Sequence, residues 1–348
     1  MRHVYGRIFR FLAAGVCLAG LFSGCNLRDP LPIPIEDIVC RKVRVAPGPE
    51  DFVLDLWSGP PRLLISSHDR RAPESSGGIW AFDLESEATG ELARTNEPNA
   101  LIAFKPHGMD IRKDGSSALL YVILHDPYGH MERKENAIAV YKIGRDALRF
   151  VELMEDSACL WSPNDLSVIP SGDIYVTNDV PGSLAMYLRS ESSEIAFYDA
   201  RQKIWKIVAD DIAFANGILA ETDRVFVTAT QGDEVMVFPR MPDGALGTPE
   251  TVVHVKGPDN LMRYKDSLLT TAHYDDLAFL DHRKDPEKPA PSIVFRIRPE
   301  IYVKDVVYVD SGETISAAST AMIFQDNLYI SQAFDPYIVI CDVPVFLK

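Results

Sequence analysis

Short apolar runs separated by polar turns dominate this chain, which lacks long helical periodicity. In "SPNDLSVIPSGDIYVTND", spanning Ser162 to Asp179, an apolar run follows Asn164 and Asp165, a turn interrupts it, and a second run returns. Asn and Asp are poor strand formers and common in turns. A single such pair therefore reads as an ordinary turn ahead of a strand. The pattern repeats, however. Glu50 and Asp51 in "PEDFVLD", His107 in "FKPHGMDI", Asn216 in "FANGILA", Asp259 and Asn260 in "GPDNLMR", and Ser319 and Thr320 in "SAASTAMIF" each open a similar unit. Each unit continues through a polar turn into a second strand such as "RVFVTA", "SLLTTA" or "NLYISQ". Asp51, His107, Asn164, Asn216, Asn260 and Ser319 stand 56, 57, 52, 44 and 59 residues apart. Six units of about 40–60 residues built from short strands predict an all-β fold, a six-bladed β-propeller. The innermost strand of each blade lines the central channel, so polar residues at one phase of every blade converge on the axis.

The 348 residues suffice for one large β domain. The net charge of −15 and the lack of a basic stripe argue against a nucleic-acid partner. At the N-terminus, Arg2, Arg7 and Arg10 precede or enter the 12-residue apolar stretch "FLAAGVCLAGLF", which is too short to span a bilayer. It has the charge and length of a signal peptide, residues 1–24. The stretch ends in "LFSGC", which is similar to a bacterial lipobox with Cys25 as the lipidated residue, although Phe22 stands where Leu is usual. The Pro-rich residues 25–39 read as an extended tether, and 40–348 as the propeller. The expectation is an exported protein, either anchored to the cell envelope through Cys25 or secreted. Cys40 and Cys341 bracket the repeats. A ring brings its first and last strands together, so a Cys40–Cys341 disulfide would lock it shut. Cys159 is expected to be a buried free thiol without chemistry.

Glu50, Asp51, Asn164, Asp165, Asn216, Asp259 and Asn260 all offer oxygen, several of them as neutral amides. Carboxylates mixed with amide carbonyls suit calcium, whereas no H-E-x-x-H or C-x-x-C spacing points to zinc. The chain also lacks the G-x-S-x-G of a serine hydrolase. Successive side chains on a strand face opposite ways, so adjacent pairs would serve two ions. The outer one would use Glu50, Asn164, Asn216, Asp259 and Asn260, and the deeper one Asp51 and Asp165. His107 stands at its blade's channel-facing position, while His125 ends "LLYVILH" and His273 ends "SLLTTAH". Imidazoles beside a metal site suit acid–base work. His3, His68, His130, His254 and His282 lie in polar or peripheral contexts and carry no assignment.

Together "GPEDF", "FKPHGMDI", "VILHDP", "SPNDL", "YVTND", "FANGI", "GPDNL" and the end cysteines resemble the paraoxonase/arylesterase family, in order from about Cys40 to Cys341. The resemblance implies a six-bladed propeller with two calcium ions per chain, one catalytic and one structural, that hydrolyses lactones and aryl esters. It implies that Glu50, Asn164, Asn216, Asp259 and Asn260 hold the catalytic ion. Asp51 and Asp165, helped by the backbone carbonyls of Phe52 and Met109, would hold the structural one. His107 and His125 would form a His dyad, with His273 and Asp179 in support and with Glu50 and Asp259 as rival bases. Ala272 stands where many relatives carry a free cysteine. The segment after Asp179, "VPGSLAMYLRSESSEIAFYDA", is shorter and more polar than the family's membrane-facing helix, which argues against long-acyl substrates. Two rivals remain open. One is a sugar lactonase of regucalcin/gluconolactonase type with a single metal, and the other a non-enzymatic exported propeller that binds a ligand. No protein partner is implied.

Overall fold

The computed structural model describes residues 30–129, 135–179 and 190–347. The predicted signal peptide, Cys25, the start of the tether and much of the segment after Asp179 lie outside these residues. The compact unit that carries the fold is residues 31–348.

That unit is a six-bladed β-propeller, and its described sheets have an antiparallel up-and-down order. Blade 1 runs through Pro49–Asp55, Arg62–Ser67, Gly78–Asp83 and Thr89–Glu91. Blades 2 to 6 start from the inner strands Pro106–Asp114, Pro163–Val168, Ala215–Ala220, Pro258–Tyr264 and Ala318–Phe324. Each inner strand neighbours the next, and that of blade 6 returns to blade 1. The outermost strand of blade 6 is the N-terminal Cys40–Arg44, antiparallel to Tyr337–Asp342 with Cys40 opposite Cys341. These two cysteines are joined by a disulfide spanning 301 residues of sequence. By chain-entropy arithmetic, closing such a loop stabilises by about 5–6 kcal/mol.

The second strands of the blades read as unbroken apolar runs because both of their faces are buried. Their alternate residues feed different cores. Leu64 packs with blade 2 and Leu63 with blade 6. Leu120 faces blade 1 and Tyr121 faces blade 3. Leu268 and Leu269 likewise divide between blades 4 and 6. Six clusters of this kind fill the gaps between successive blades. Cys159 is a buried free thiol, pushed up to about 11 by burial and by Asp156.

Two features depart from a uniform ring. Blade 2 gains a fifth strand, Ala93–Thr95, parallel to Ala147–Glu155. Blade 5 carries a helix between Ser267–His273 and Ser292–Arg298, here α1, Asp276–Lys284. Nine residues are too few for the periodicity that marks a helix in sequence, but its ends are well specified. The Asp275 side chain caps it by accepting from the Ala278 N–H at 3.0 Å. Asp276 opens its first turn, and His282, Arg283 and Lys284 close its last. This distribution complements the helix dipole.

Candidate active site

The six polar markers share one local geometry. Register slips between Pro49 and Asp51, Pro106 and Met109, Pro163 and Leu166, Ala215 and Ile218, Pro258 and Leu261, and Ala318 and Ala321. Every inner strand thus bulges at its polar pair. A bulge re-aims side chains that a regular strand would send to opposite faces. The pairs of blades 1 and 3 are thereby divided between two tiers of the channel, whereas Asp259 and Asn260 of blade 5 both serve the upper one. Gly108 and Gly217 are the second members of their pairs. A Cβ on Gly108 would meet the Asn164 carbonyl oxygen at 2.6 Å and the Asp165 Cα at 2.7 Å. On Gly217 it would meet the Asn260 Cα at 2.7 Å. The ring closes to this radius only without a side chain there.

The upper tier opens into a cavity of about 680 Å³ whose lining includes Glu50, His107, His125, Asn164, Asp179, Asn216, Asp259 and His273. Asn260 is buried beside them and donates from Nδ2 to Glu50 Oε1 at 3.2 Å and to Thr320 Oγ1 at 2.9 Å. Ser319 Oγ stands between Glu50 Oε1 at 2.8 Å and Asp259 Oδ2 at 2.9 Å, with one hydrogen to donate to either. His273 Nε2 donates to the same Asp259 oxygen at 2.8 Å. Among the described residues, Glu50 Oε2 and the Oδ1 atoms of Asn164, Asn216 and Asn260 are buried without a hydrogen-bond partner. Four such oxygens in one place are costly unless something binds them. Hard carboxylate and amide oxygens are calcium's donor chemistry. The residues fit that ion. No described group of three or more His, Cys, Asp or Glu could hold a metal, and the upper tier relies instead on amides. Burial pushes the Glu50 carboxyl up, with Asp259 adding to this and Arg70 opposing it.

The lower tier is different. Asp51 accepts from the N–H of Phe52 at 2.8 Å and of Met109, one blade on, at 2.7 Å. Asp165 accepts from Leu166 at 2.8 Å and, one blade on, from Ile218 at 2.9 Å. Asp110, which sequence reasoning missed, does the same with Ile111 and Val168, both at 2.7 Å. Burial raises Asp51 and Asp165 well above the carboxylate range, reinforced by Glu50 at Asp51 and by Asp51 at Asp165. Asp110 is raised to about 6 by burial. Mutual repulsion between Asp51 and Asp165 is what a cation would relieve, so this tier also fits an ion. Thr320 Oγ1, donating to Asp51 Oδ1 at 3.0 Å, links the tiers.

His107 and His125 stack edge to face with centroids 4.9 Å apart. Asn136 donates both amide hydrogens, to the Leu160 and Trp161 carbonyls at 3.1 Å each. Its Oδ1 must therefore accept from His125 Nδ1, at 3.1 Å. Neutral His125 then presents a bare Nε2 to His107 Nδ1, also 3.1 Å away. These partners assign the tautomers: His107 carries its hydrogen on Nδ1, and its Nε2, 3.9 Å from Glu50 Oε1, is free as a base. Burial holds His107 well below the usual imidazole range, with Arg70, His125 and His68 pushing the same way.

Sequence reasoning missed Arg70, whose Nη2 lies 3.5 Å from Glu50 Oε2 and 3.4 Å from His107 Nδ1. It missed helix α1, which supplies Leu277, Leu280 and Arg283 to the lining, and it missed the apolar wall of Phe214 and Phe334. His68, left unassigned, lines the cavity. His282, read as peripheral, is the buried residue of α1, and its Nδ1 donates to the Lys288 carbonyl at 2.7 Å. Asp179 lines the cavity and accepts from Ser162 Oγ.

The arylesterase family model matches residues 67–343. The chain belongs to the arylesterase family. No curated protein matches it in sequence. Among solved structures, a luciferin-regenerating enzyme has a TM-score of 0.59 at 10% identity, covering 88% of this chain and 95% of its own. A gluconolactonase-type protein has a TM-score of 0.55 at 11% identity, with coverages of 89% and 94%. A calcium-binding regucalcin from Agrobacterium tumefaciens has a TM-score of 0.52 at 12% identity, with coverages of 86% and 91%. At such identities these neighbours speak for the fold. Membership makes this arylesterase-family chain a hydrolase of lactonase or esterase type.

Proposed function

We propose a calcium-dependent hydrolase of lactones with arylesterase side activity. The observation that carries this reading is a set of four buried oxygens without a hydrogen-bond partner, on Glu50, Asn164, Asn216 and Asn260, at a cavity that the first three line beside a base-ready His107. Glu50, Asn164, Asn216, Asp259 and Asn260 would hold the catalytic ion. Asp51 and Asp165, with the carbonyls of Phe52 and Met109, would hold a second. When bound, the catalytic ion supplies Lewis acidity to the ester carbonyl.

The chain's own residues do the rest. His107 Nε2 takes a proton from the attacking water as its oxygen bonds to the carbonyl carbon. The resulting imidazolium shares its Nδ1 hydrogen with His125 Nε2. The Arg70 charge and burial oppose that cation, so the proton passes readily to the ester oxygen as the acyl C–O bond breaks. Arg70 and His107 Nδ1 both carry hydrogens in this tautomer, so their 3.4 Å approach is a charge contact. Ser319 and His273 hold Asp259 Oδ2, while Phe214, Leu280 and Phe334 exclude water around the acyl part. The sugar-lactonase alternative predicts one metal per chain and the ligand-binding alternative predicts no turnover.

The test is hydrolysis of phenyl acetate and a γ-lactone by the purified protein, before and after chelation and on calcium add-back, with metal counted per chain. Both activities should vanish on chelation and return with calcium. Turnover that survives chelator, or zinc in place of calcium, would sink the reading. Export with a lipid on Cys25 is part of the same proposal and fits the disulfide. Palmitate labelling that persists in Cys25→Ala would remove the anchor.

A further inference from the structure

The chain is strongly acidic, at −15, yet its cavity wall carries Arg70, Lys105 and Arg283. The loop that follows strand Arg62–Ser67 explains how two of them meet. Arg71 turns outward and grips the end of helix α1, donating from Nη2 to the His282 carbonyl at 2.9 Å and from Nε to the Arg283 carbonyl at 3.2 Å. Its Nη1 pairs with Asp335 at 2.6 Å. Cations at a helix C-terminus are favourable, so this clamp fixes the last turn of α1 against the loop. Arg70, the preceding residue, turns inward. Arg283, on the clamped turn, is exposed and lines the same cavity as Arg70. The Arg70 charge is disfavoured by burial, favoured by Glu50 and Asp259, and opposed by Arg283.

Arg283 has no acid partner among the described residues, and Arg70 reaches only Glu50, at 3.5 Å. Every contact of Arg70 is long: 3.3 Å to the Gly48 carbonyl, 3.4 Å to that of His68 and 3.5 Å to Glu50 Oε2. Glu50 is itself a member of the upper donor set. Among the described residues, the Arg283 side chain makes no hydrogen bond or ion pair. Lys105 has Asp126 at 3.7 Å. The acids on the same wall are engaged or distant. Asp259 is held by Ser319 and His273, and Asp179 by Ser162. Asp276 stands at the opposite end of α1 from Arg283, about 10 Å along its axis. Two guanidiniums that line one cavity repel unless an anion joins them, and a guanidinium fork is the group that best fits a planar carboxylate.

We propose that the natural substrates are lactones bearing a free carboxylate, which is received between Arg70 and Arg283 while the ring carbonyl faces the Glu50–His107 side. Water adds to the ring carbonyl carbon, the ring acyl C–O bond breaks, the ring oxygen keeps its electron pair and takes the proton, and a hydroxy dicarboxylate leaves. This rests on the lactonase reading above. It narrows that reading to small, charged substrates and agrees with the polar character of the segment after Asp179.

The test compares a γ-butyrolactone carrying a ring carboxylate with the isosteric carboxamide, assayed with calcium present. The acid should be preferred by about 10–100-fold in kcat/KM, mostly through KM. The preference should shrink as salt rises from 0.05 to 0.5 M. Arg283→Gln, at an exposed position where folding is not at stake, should lower kcat/KM for the acid far more than for the amide, and Arg283→Lys should restore part of the difference. Calorimetry with the ring-opened hydroxy dicarboxylate should show binding that weakens in Arg283→Gln. Equal use of acid and amide, or a ratio unmoved by Arg283→Gln, overturns the proposal and leaves lactonase activity standing. If neither lactone opens, the proposal falls, and phenyl acetate hydrolysis decides whether the reading beneath it falls too.

Discussion

The two tiers of the channel use the same residue types for different ends. In the upper tier, Glu50, Asn164, Asn216 and Asn260 each keep a buried oxygen with no hydrogen-bond partner, and only that of Glu50 has an ion-pair neighbour, Arg70 at 3.5 Å. In the lower tier, Asp51, Asp110 and Asp165 give both oxygens to backbone N–H groups, one on their own strand and one on the next blade. One tier is left chemically open, and the other is closed into the fold. A buried polar atom without a partner is destabilising, and a carboxylate clasping two strands is stabilising. Function and stability have therefore been separated by a single bulge per blade, within adjacent residues of one chain.

The sharpest way to break this comparison is to alter the upper tier and watch only activity. His107→Gln keeps size and some hydrogen bonding but cannot take the proton, and should lower kcat by about 10²–10⁴-fold. Asn164→Ala removes an unpartnered oxygen and should leave turnover at least about a hundredfold down, since even residues supporting a ligand cost 10–100-fold. Thermal unfolding of both metal-free variants should match the parent to within about 1 kcal/mol. A large loss of stability in metal-free Asn164→Ala would show that the upper tier holds the fold after all.

Asp165→Ala is the reciprocal case. It strands the N–H groups of Leu166 and Ile218, one on each of two blades. Each buried donor left unmade costs about 1–3 kcal/mol, so the two together predict a loss of about 2–6 kcal/mol by denaturant titration. Asp110→Ala should behave alike, since it makes the same clasp between blades 2 and 3. Equal stability losses in Asn164→Ala and Asp165→Ala would erase the distinction between tiers.

What the sequence made legible follows from this architecture. A polar marker in an apolar inner strand is conspicuous, and six of them in phase, four as polar pairs and two followed by glycine, point to the ring, its closure at Cys40 and Cys341, and the residues that converge. The bulge was not legible, because it leaves no composition signal. Simple strand alternation divides Glu50 from Asp51 for the wrong reason. Asp110 was missed because Gly108 occupies the pair position in its blade, which moves the clasp two residues on. Arg70 was missed because "HDRR" sits in a loop with no period to mark it, and only the fold shows one arginine turned inward and its neighbour outward. Helix α1 was missed because nine residues carry too little pattern.

The subtlest test uses pH. Burial raises the folded-state values of Glu50, Asp51 and Asp165 above 4.5, 3.8 and 3.8. A raised folded value means the native state binds protons that the unfolded chain has released. The stability from that binding is fully present below the unfolded values and is lost as pH rises through the folded ones. Chelator-treated protein should therefore melt at a higher temperature at pH 5 than at pH 7.5. Calcium needs the ionised carboxylates and competes with protons, so the loaded protein should change in the opposite sense. Asp110, raised to about 6 by burial, adds the stripped protein's trend to both forms between 3.8 and about 6. It lies in neither donor set, so it cancels when the loaded and stripped melting curves are subtracted. The gap between them should widen steadily with pH, at about 2 °C for each kcal/mol in a domain of this class. If the stripped protein instead gained stability as pH rose, the buried carboxylates would be ionised and paired without metal, and neither tier would need a cation.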